Sequence, residues 1–270
     1  MPVPELQRKA DLIWEECLRL HAREPGVRIA SVLSCVELLT VLYYGNFLCY
    51  DAQNPLFPAR DRVIASKGHG ALALYPILAD LGFFPQSELG KMGEGESVLG
   101  MIPDPVIPGI ETVNGSLGHG LGVGLGMALS LKQSRNPSRV IVLHGDGELG
   151  EGAVWEAVSL AGALQLENLF MILDVNGKSM LGSCRYTAQQ WEKIFDAWSW
   201  HTVHCNGHDV ESVYYGLHSL FAQGKKGPSV LIAETVKGHG VPRLENAELA
   251  HVMNLTKEQV EELIAERRPC

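Results

Sequence analysis

Apolar residues recur every three to four positions over Leu6–His21 and over Val32–Tyr44, the period of a helix that buries one face. The β-branched run Arg62–Ala65 predicts a short strand, and Ala71–Leu81 a further helix. Residues 93–114 lose all periodicity and are rich in Pro and Gly. A connection of that length is too long for a neutral link inside a compact domain, so it reads as a functional loop. Ser116–Leu131 reads as a helix despite Gly118, Gly120, Gly122, Gly124 and Gly126. Glycines weaken a helix, so close packing against a sheet or a partner is the expected reason for them. From Val140 onward the pattern alternates: strand Val140–Leu143, helix Ala153–Leu164, strand Leu169–Leu173, helix Ala188–Asp196, strand His201–Cys205, helix Val210–Gln223, strand Ser229–Thr235. Lys257–Arg267 closes the chain as a charged amphipathic helix. Strands alternating with helices predict an α/β fold, a doubly wound, mostly parallel sheet with helices on both faces. No repeat, low-complexity tract or linker interrupts the pattern, so residues 1–270 are expected to form a single domain.

Composition narrows the class. The chain is 46% hydrophobic and 20% charged, ordinary for a globular protein, and no apolar stretch approaches the length of a membrane span. Met1-Pro2-Val3-Pro4 followed by charged residues lacks the apolar core of a secretion signal. The net charge of −9 argues against nonspecific nucleic-acid binding. Cys17, Cys35, Cys49, Cys184, Cys205 and Cys270 show no paired spacing. They read as reduced thiols of a cytoplasmic protein rather than disulfides or a zinc site.

The richest chemistry lies between His144 and Gly182. The strand Val140–Leu143 delivers Gly145-Asp146-Gly147, where backbone amides approach a phosphate closely. Asp146 offers a hard anionic oxygen, and the next strand delivers Asn176, a hard neutral one. One carboxylate and one amide oxygen leave octahedral positions open, which suits Mg²⁺ held largely by a bound diphosphate. Two strand ends of one parallel sheet can meet at one ion although 30 residues separate these ligands.

Gly-Asp-Gly, this spacer and Asn resemble the thiamine diphosphate signature. Other segments are similar to transketolases: Arg60 to Gly70 with Ser66-Lys67-Gly68-His69-Gly70, Gly109-Ile110-Glu111 with Asn114-Gly115-Ser116-Leu117-Gly118-His119-Gly120, and Thr235-Val236-Lys237-Gly238-His239-Gly240-Val241 followed by Glu245-Asn246 and His251. The resemblance spans Leu6 to His251 and points to the diphosphate-binding, N-terminal part of the transketolase family. It implies thiamine diphosphate and Mg²⁺ as cofactors, with Asp146, Asn176 and the Lys178 carbonyl as metal ligands. By the same resemblance His69, Gly115, Ser116, Leu117, Gly147, Glu148, Asn176, Met180 and His251 contact the cofactor, and His69 and His251 are the catalytic candidates. Asp174 lies beside Asn176, but strand alternation and the family pattern favour Asn176 as the ligand. Glu151 corresponds to an acidic residue between two cofactor sites, or serves its helix N-terminus. His119 and His239 are placed to touch phosphate, to pack or to face solvent, whereas His201, His204, His208 and His218 read as structural or surface residues.

Two departures matter. The pyrimidine-binding and C-terminal domains of a full transketolase are absent, so the chain is expected to be the first subunit of a split enzyme. Its partner is then a separately encoded C-terminal subunit, with two copies of each chain. Arg28 stands in Val27–Ser31 where a substrate-facing histidine is expected, and Ile102 or a neighbour stands for a second. A titratable imidazole is thus exchanged for a permanent guanidinium, making Arg28 a substrate-binding candidate. The implied reaction transfers a two-carbon ketol unit from a ketose to an aldehyde, with a specialised, modified or nucleotide-linked sugar as substrate. The competing expectations are the α-subunit of a 2-oxoacid dehydrogenase and a noncatalytic, cofactor-binding regulatory subunit.

Overall fold

The computed structural model describes all residues except 114, 180, 181, 184, 185, 223, 225 and 268–270. In chain order the helices are α1 (Val3–Arg23), α2 (Ile29–Leu33), α3 (Val36–Tyr44), α4 (Leu74–Asp80), α5 (Gly120–Gln133), α6 (Gly152–Ala163), α7 (Ala188–Ala197), α8 (Val210–Leu220), α9 (Pro242–Glu245) and α10 (Lys257–Arg267). The strands are β1 (Arg62–Ala65), β2 (Val140–Gly145), β3 (Leu169–Val175), β4 (Lys178–Ser179), β5 (Gly182–Ser183), β6 (His201–Asn206) and β7 (Ser229–Glu234).

Five strands form one parallel sheet in the order β1-β2-β3-β7-β6, while β4 and β5 pair antiparallel apart from it. Alternation along each strand feeds two cores. Val63, Ile141, Leu143, Phe170, Ile172 and Leu231 pack with α1, α3, α4 and α8, whereas Ile64, Val140, Val142, Met171, Leu173 and Ile232 pack under α5, α6 and α7. Burial on both faces is why these strands read as continuous apolar runs rather than alternating ones. The chain advances β1 to β2 to β3 to β6 with α5, α6 and α7 on one face, then steps back through α8 on the other to insert β7. Right-handed crossovers require that change of face when the winding reverses. It brings the carboxyl ends of β1, β2, β3 and β7 to one edge.

Two predicted helices are shorter than the pattern suggested. The span Val32–Tyr44 is broken at Ser34 and Cys35, where Cys35 leaves helical geometry at φ −120°. The Ser34 hydroxyl lies 3.2 Å from the Ser31 carbonyl and the Cys35 thiol 3.3 Å from that of Val32, local bonds that compete with the helical ladder. α5 begins at Gly120 rather than Ser116, because Gly118 takes φ +78°, a conformation glycine adopts at no steric cost. The expected loop 93–114 is anchored by buried Leu99 and Ile107. Arg60 grips Glu111 through two 2.8 Å hydrogen bonds, and the Tyr75 hydroxyl donates to the Gly100 carbonyl at 2.8 Å.

Candidate active site at the carboxyl edge of the sheet

Ligand sites of open α/β sheets form beyond the carboxyl ends of the strands, and here that edge collects the chemistry. β1 leads into Ser66-Lys67-Gly68-His69, β2 into Asp146-Gly147-Glu148, β3 into Asn176-Gly177-Lys178, and β7 into Thr235-Val236-Lys237-Gly238. Asp146 and Asn176 are both buried, and their turns touch: the Gly177 amide donates to Asp146 Oδ2 at 2.8 Å. Asn176 Oδ1 accepts the Lys178 amide at 3.2 Å. The Lys178 carbonyl accepts Lys237 Nζ at 3.1 Å, and the Lys178 ammonium bonds the carbonyls of Glu245 and Ala247 at 2.6 and 3.1 Å.

Beneath this edge lies an ionic network built from residues the sequence did not single out as a group. Asp174 is fully buried and shares the face of Phe170 and Ile172 on β3, since side chains alternate along a strand. Its carboxylate accepts a short bond from Lys67 Nζ, another from the Thr235 hydroxyl, and the Ser34 hydroxyl at 2.7 Å. Lys67 Nζ also donates to Ser34 Oγ at 2.7 Å. Burial disfavours the Lys67 ammonium, but the Asp174 carboxylate, helped by Cys35 and Asp146, outweighs it and raises its pKa. A charged residue inside the apolar run Met171–Val175 was the available signal for Asp174.

His69 and His251 come together although 182 positions separate them in the chain, with ring centroids 5.1 Å apart in an edge-on arrangement. His251 Nδ1 lies 3.2 Å from Ser31 Oγ. Burial, then Arg28, Lys237 and Lys67, lower the His69 pKa. Burial, then Lys237, His69, Arg28 and Lys67, lower that of His251 to about 4. Arg28, half-buried at the entrance to α2, therefore belongs to the same electrostatic neighbourhood. Gly115, Ser116 and Leu117 are exposed along the rim. Ile102 reaches this rim, its Cδ1 3.5 Å from where a Gly115 Cβ would stand, and Met101 packs over Gly26 just before Arg28.

Glu148 sits differently from a ligand-facing carboxylate. It is buried, and its oxygens take the Ser66 hydroxyl at 2.8 Å and the amides of Gly118 and Gly145 at 3.0 Å each. It thereby ties three loops together, and Gly147 beside it is half-buried. Met180 falls outside the described residues. His119 is exposed, and Glu151 covers Gly118, whose Cβ would meet Glu151 Cβ at 2.7 Å. Among the described residues Cys17, Cys35, Cys49 and Cys205 are free thiols, and no helix is long and apolar enough to cross a membrane.

This donor set fits the group the sequence suggests. One carboxylate and one carboxamide at adjoining strand ends match the preference of Mg²⁺ for few protein oxygens. The cations that depress both histidines, Lys67, Lys237 and Arg28, converge where a diphosphate would relieve their mutual repulsion.

Residues 24–267 match the family described as the transketolase thiamine diphosphate-binding domain. The chain belongs to the transketolase family. It is 38% identical to mouse transketolase over 239 residues, 87% of this chain and 38% of that protein. It is 37% identical over 245 residues to one of the subunits of the apulose-4-phosphate transketolase of Actinobacillus succinogenes, covering 89% of this chain and 88% of that relative. The transketolase structure from Campylobacter jejuni superposes with a TM-score of 0.89 at 27% identity, over 99% of this chain and 43% of that one. The chain thus spans about two-fifths of the length of the full transketolases it matches, and nearly all of its relative from a split one. Within this transketolase domain, Arg28 and Ile102 stand at the rim, on the same side as His69 and His251.

Proposed function

We propose that this chain is the diphosphate-binding subunit of a two-chain transketolase, which moves a two-carbon ketol unit from a phosphorylated ketose to an aldehyde. The observation that carries this reading is the carboxyl edge itself: Asp146 and Asn176 at adjoining strand ends, faced by Lys67, Lys237, His69 and His251. Asp146, Asn176 and the Lys178 carbonyl would hold Mg²⁺, and the backbone at Gly115, Leu117 and Gly147 would line the diphosphate. When bound, thiamine diphosphate supplies the electron sink for carbon–carbon bond cleavage. The residues of this chain orient it, neutralise its charge and exchange protons: a half-buried imidazole with its pKa held low, such as His251, accepts a proton rather than carrying one at neutral pH.

The partner reading rests on the similarity to a relative that is itself named as part of a split transketolase and on the exposed rim at Gly115–Leu117, which a second chain would cover. Two copies of each chain is the simplest assembly. The free thiols suit the reducing cytoplasm. Arg28 would grip the anionic group of the sugar bidentately. The test is reconstitution: this chain and its C-terminal partner, with thiamine diphosphate and Mg²⁺, are assayed for ketol transfer from phosphorylated ketoses, with a 2-oxoacid as the competing donor. Ketol transfer that disappears in Asp146→Ala supports the proposal. Decarboxylation of the 2-oxoacid, or turnover by this chain without a partner, overturns it.

A further inference from the structure

His208 lies in the turn between β6 and α8, on the far side of the Lys237 loop from His69 and His251. Its Nδ1 stands 3.2 Å from Oε2 of Glu37, a buried carboxylate on α3. Its Nε2 accepts the Val236 amide at 2.7 Å. These partners fix one tautomer: the Nδ1 proton is donated to the carboxylate, and the Nε2 lone pair receives a backbone N–H. The His239 ring stacks on it at 3.5 Å between centroids and 15° between planes.

A metal site is the first alternative, since ligand atoms of Glu37, His208 and His239 lie within 4.8 Å of one another. Imidazole lone pairs lie in the ring plane, however, and two rings stacked nearly parallel do not aim them at one point. Both His208 nitrogens are already engaged.

What the arrangement does hold is a backbone segment. Thr235 bonds Asp174, the Val236 amide bonds His208, Lys237 Nζ bonds the Lys178 carbonyl, and the Gly238 amide bonds the Ala30 carbonyl at 2.9 Å. Four consecutive residues are thus pinned from four sides, with His208 supplying the side-chain acceptor for the Val236 amide. Lys237, in the middle, is buried and is the largest cationic influence on His251.

We propose that the Glu37–His208 pair is a positioning device, which fixes the Val236 amide and so places the Lys237 ammonium against the diphosphate site. This rests on the functional reading above. Two isosteric variants separate the two ring nitrogens. His208→Gln puts an amide oxygen near the Nε2 position and keeps an acceptor for Val236, whereas His208→Asn keeps only the donor toward Glu37.

The experiment compares wild type, H208N and H208Q in the assembled two-chain enzyme by titration of thiamine diphosphate with Mg²⁺, and by amide hydrogen exchange of residues 235–241. Expected is a loss of about tenfold or more in cofactor affinity for H208N, the effect typical of removing an orienting partner, with faster exchange at Val236 and unchanged kcat at saturating cofactor. H208Q returns both readouts to within about twofold of wild type. Equal behaviour of the two variants, or unchanged Val236 exchange in H208N, overturns the positioning role. Wild type that protects Val236 yet fails to bind the cofactor sinks the functional reading instead.

Discussion

At the scale of single residues, His251 and Lys67 show opposite responses to burial, and each gives a measurable consequence. Burial and neighbouring cations hold the His251 pKa at about 4 against an ordinary 6.5. Between those values the unfolded chain binds a proton at this ring that the folded chain does not, so stability rises with pH across the window and is lost as pH falls through it. Denaturant unfolding at pH 7 and pH 5 should show that loss, reduced in His251→Gln. Added pyrophosphate should reduce it too, because an anion favours the imidazolium. An unchanged loss in His251→Gln would assign the acid sensitivity elsewhere. Lys67 is kept charged in the interior by Asp174. Asp174→Asn retains the shape and leaves a buried ammonium without its counter-charge, which should destabilise the fold by about 3–5 kcal/mol. Chemical denaturation measures it, and a cost near zero would show that the ion pair is dispensable. Arg28 belongs to the substrate rather than the cofactor: Arg28→Ala should raise KM for a phosphorylated sugar about tenfold while cofactor affinity holds. Unaltered kinetics with every accepted substrate would return Arg28 to the surface.

At the scale of elements, α5 shows why a glycine-rich helix survives. A Cβ on Gly120 would sit 2.7 Å from Ser66 Cα, and one on Gly124 2.7 Å from a Val142 methyl, whereas Gly122 and Gly126 have nothing within 4 Å. Two glycines therefore admit the sheet, and two lie on an open face. Gly126→Ala should stabilise the isolated chain by roughly 0.5–1 kcal/mol through helix propensity alone. Gly120→Ala should destabilise it by about 1–3 kcal/mol through overpacking against backbone. Thermal melts of the two variants check the order, and a reversal would mean that α5 sits differently on β1. The same packing explains the late start of α5, since Gly118 at φ +78° folds the chain against Glu151 before the helix can begin.

For the whole molecule, the site draws on residues from Arg28 to His251, so ligand binding and global stability are linked. Thiamine diphosphate with Mg²⁺ at about one hundred times Kd adds roughly 2.7 kcal/mol, which for a chain of this size corresponds to a Tm rise of roughly 5–10 °C. Chelation of the metal or Asp146→Ala should abolish the rise in a thermal melt. A rise that persists in Asp146→Ala would place the metal elsewhere.

The alternation of apolar strands and amphipathic helices was enough to determine the parallel sheet, because burial on both faces leaves an unbroken apolar signature in each strand. The spacing of Asp146 and Asn176 was legible for the same reason: each follows directly from the end of a predicted strand. The break between α2 and α3 and the inward turn of Glu148 were not, nor were the Lys67–Asp174 pair and the hold of His208 on Val236. The partners in these last two contacts are far apart in sequence, 107 positions for Lys67 and Asp174 and 28 for His208 and Val236. A local hydrophobic period records which face of an element is buried. It carries no record of which distant polar group waits there, and only the winding of β7 between β3 and β6 decides that.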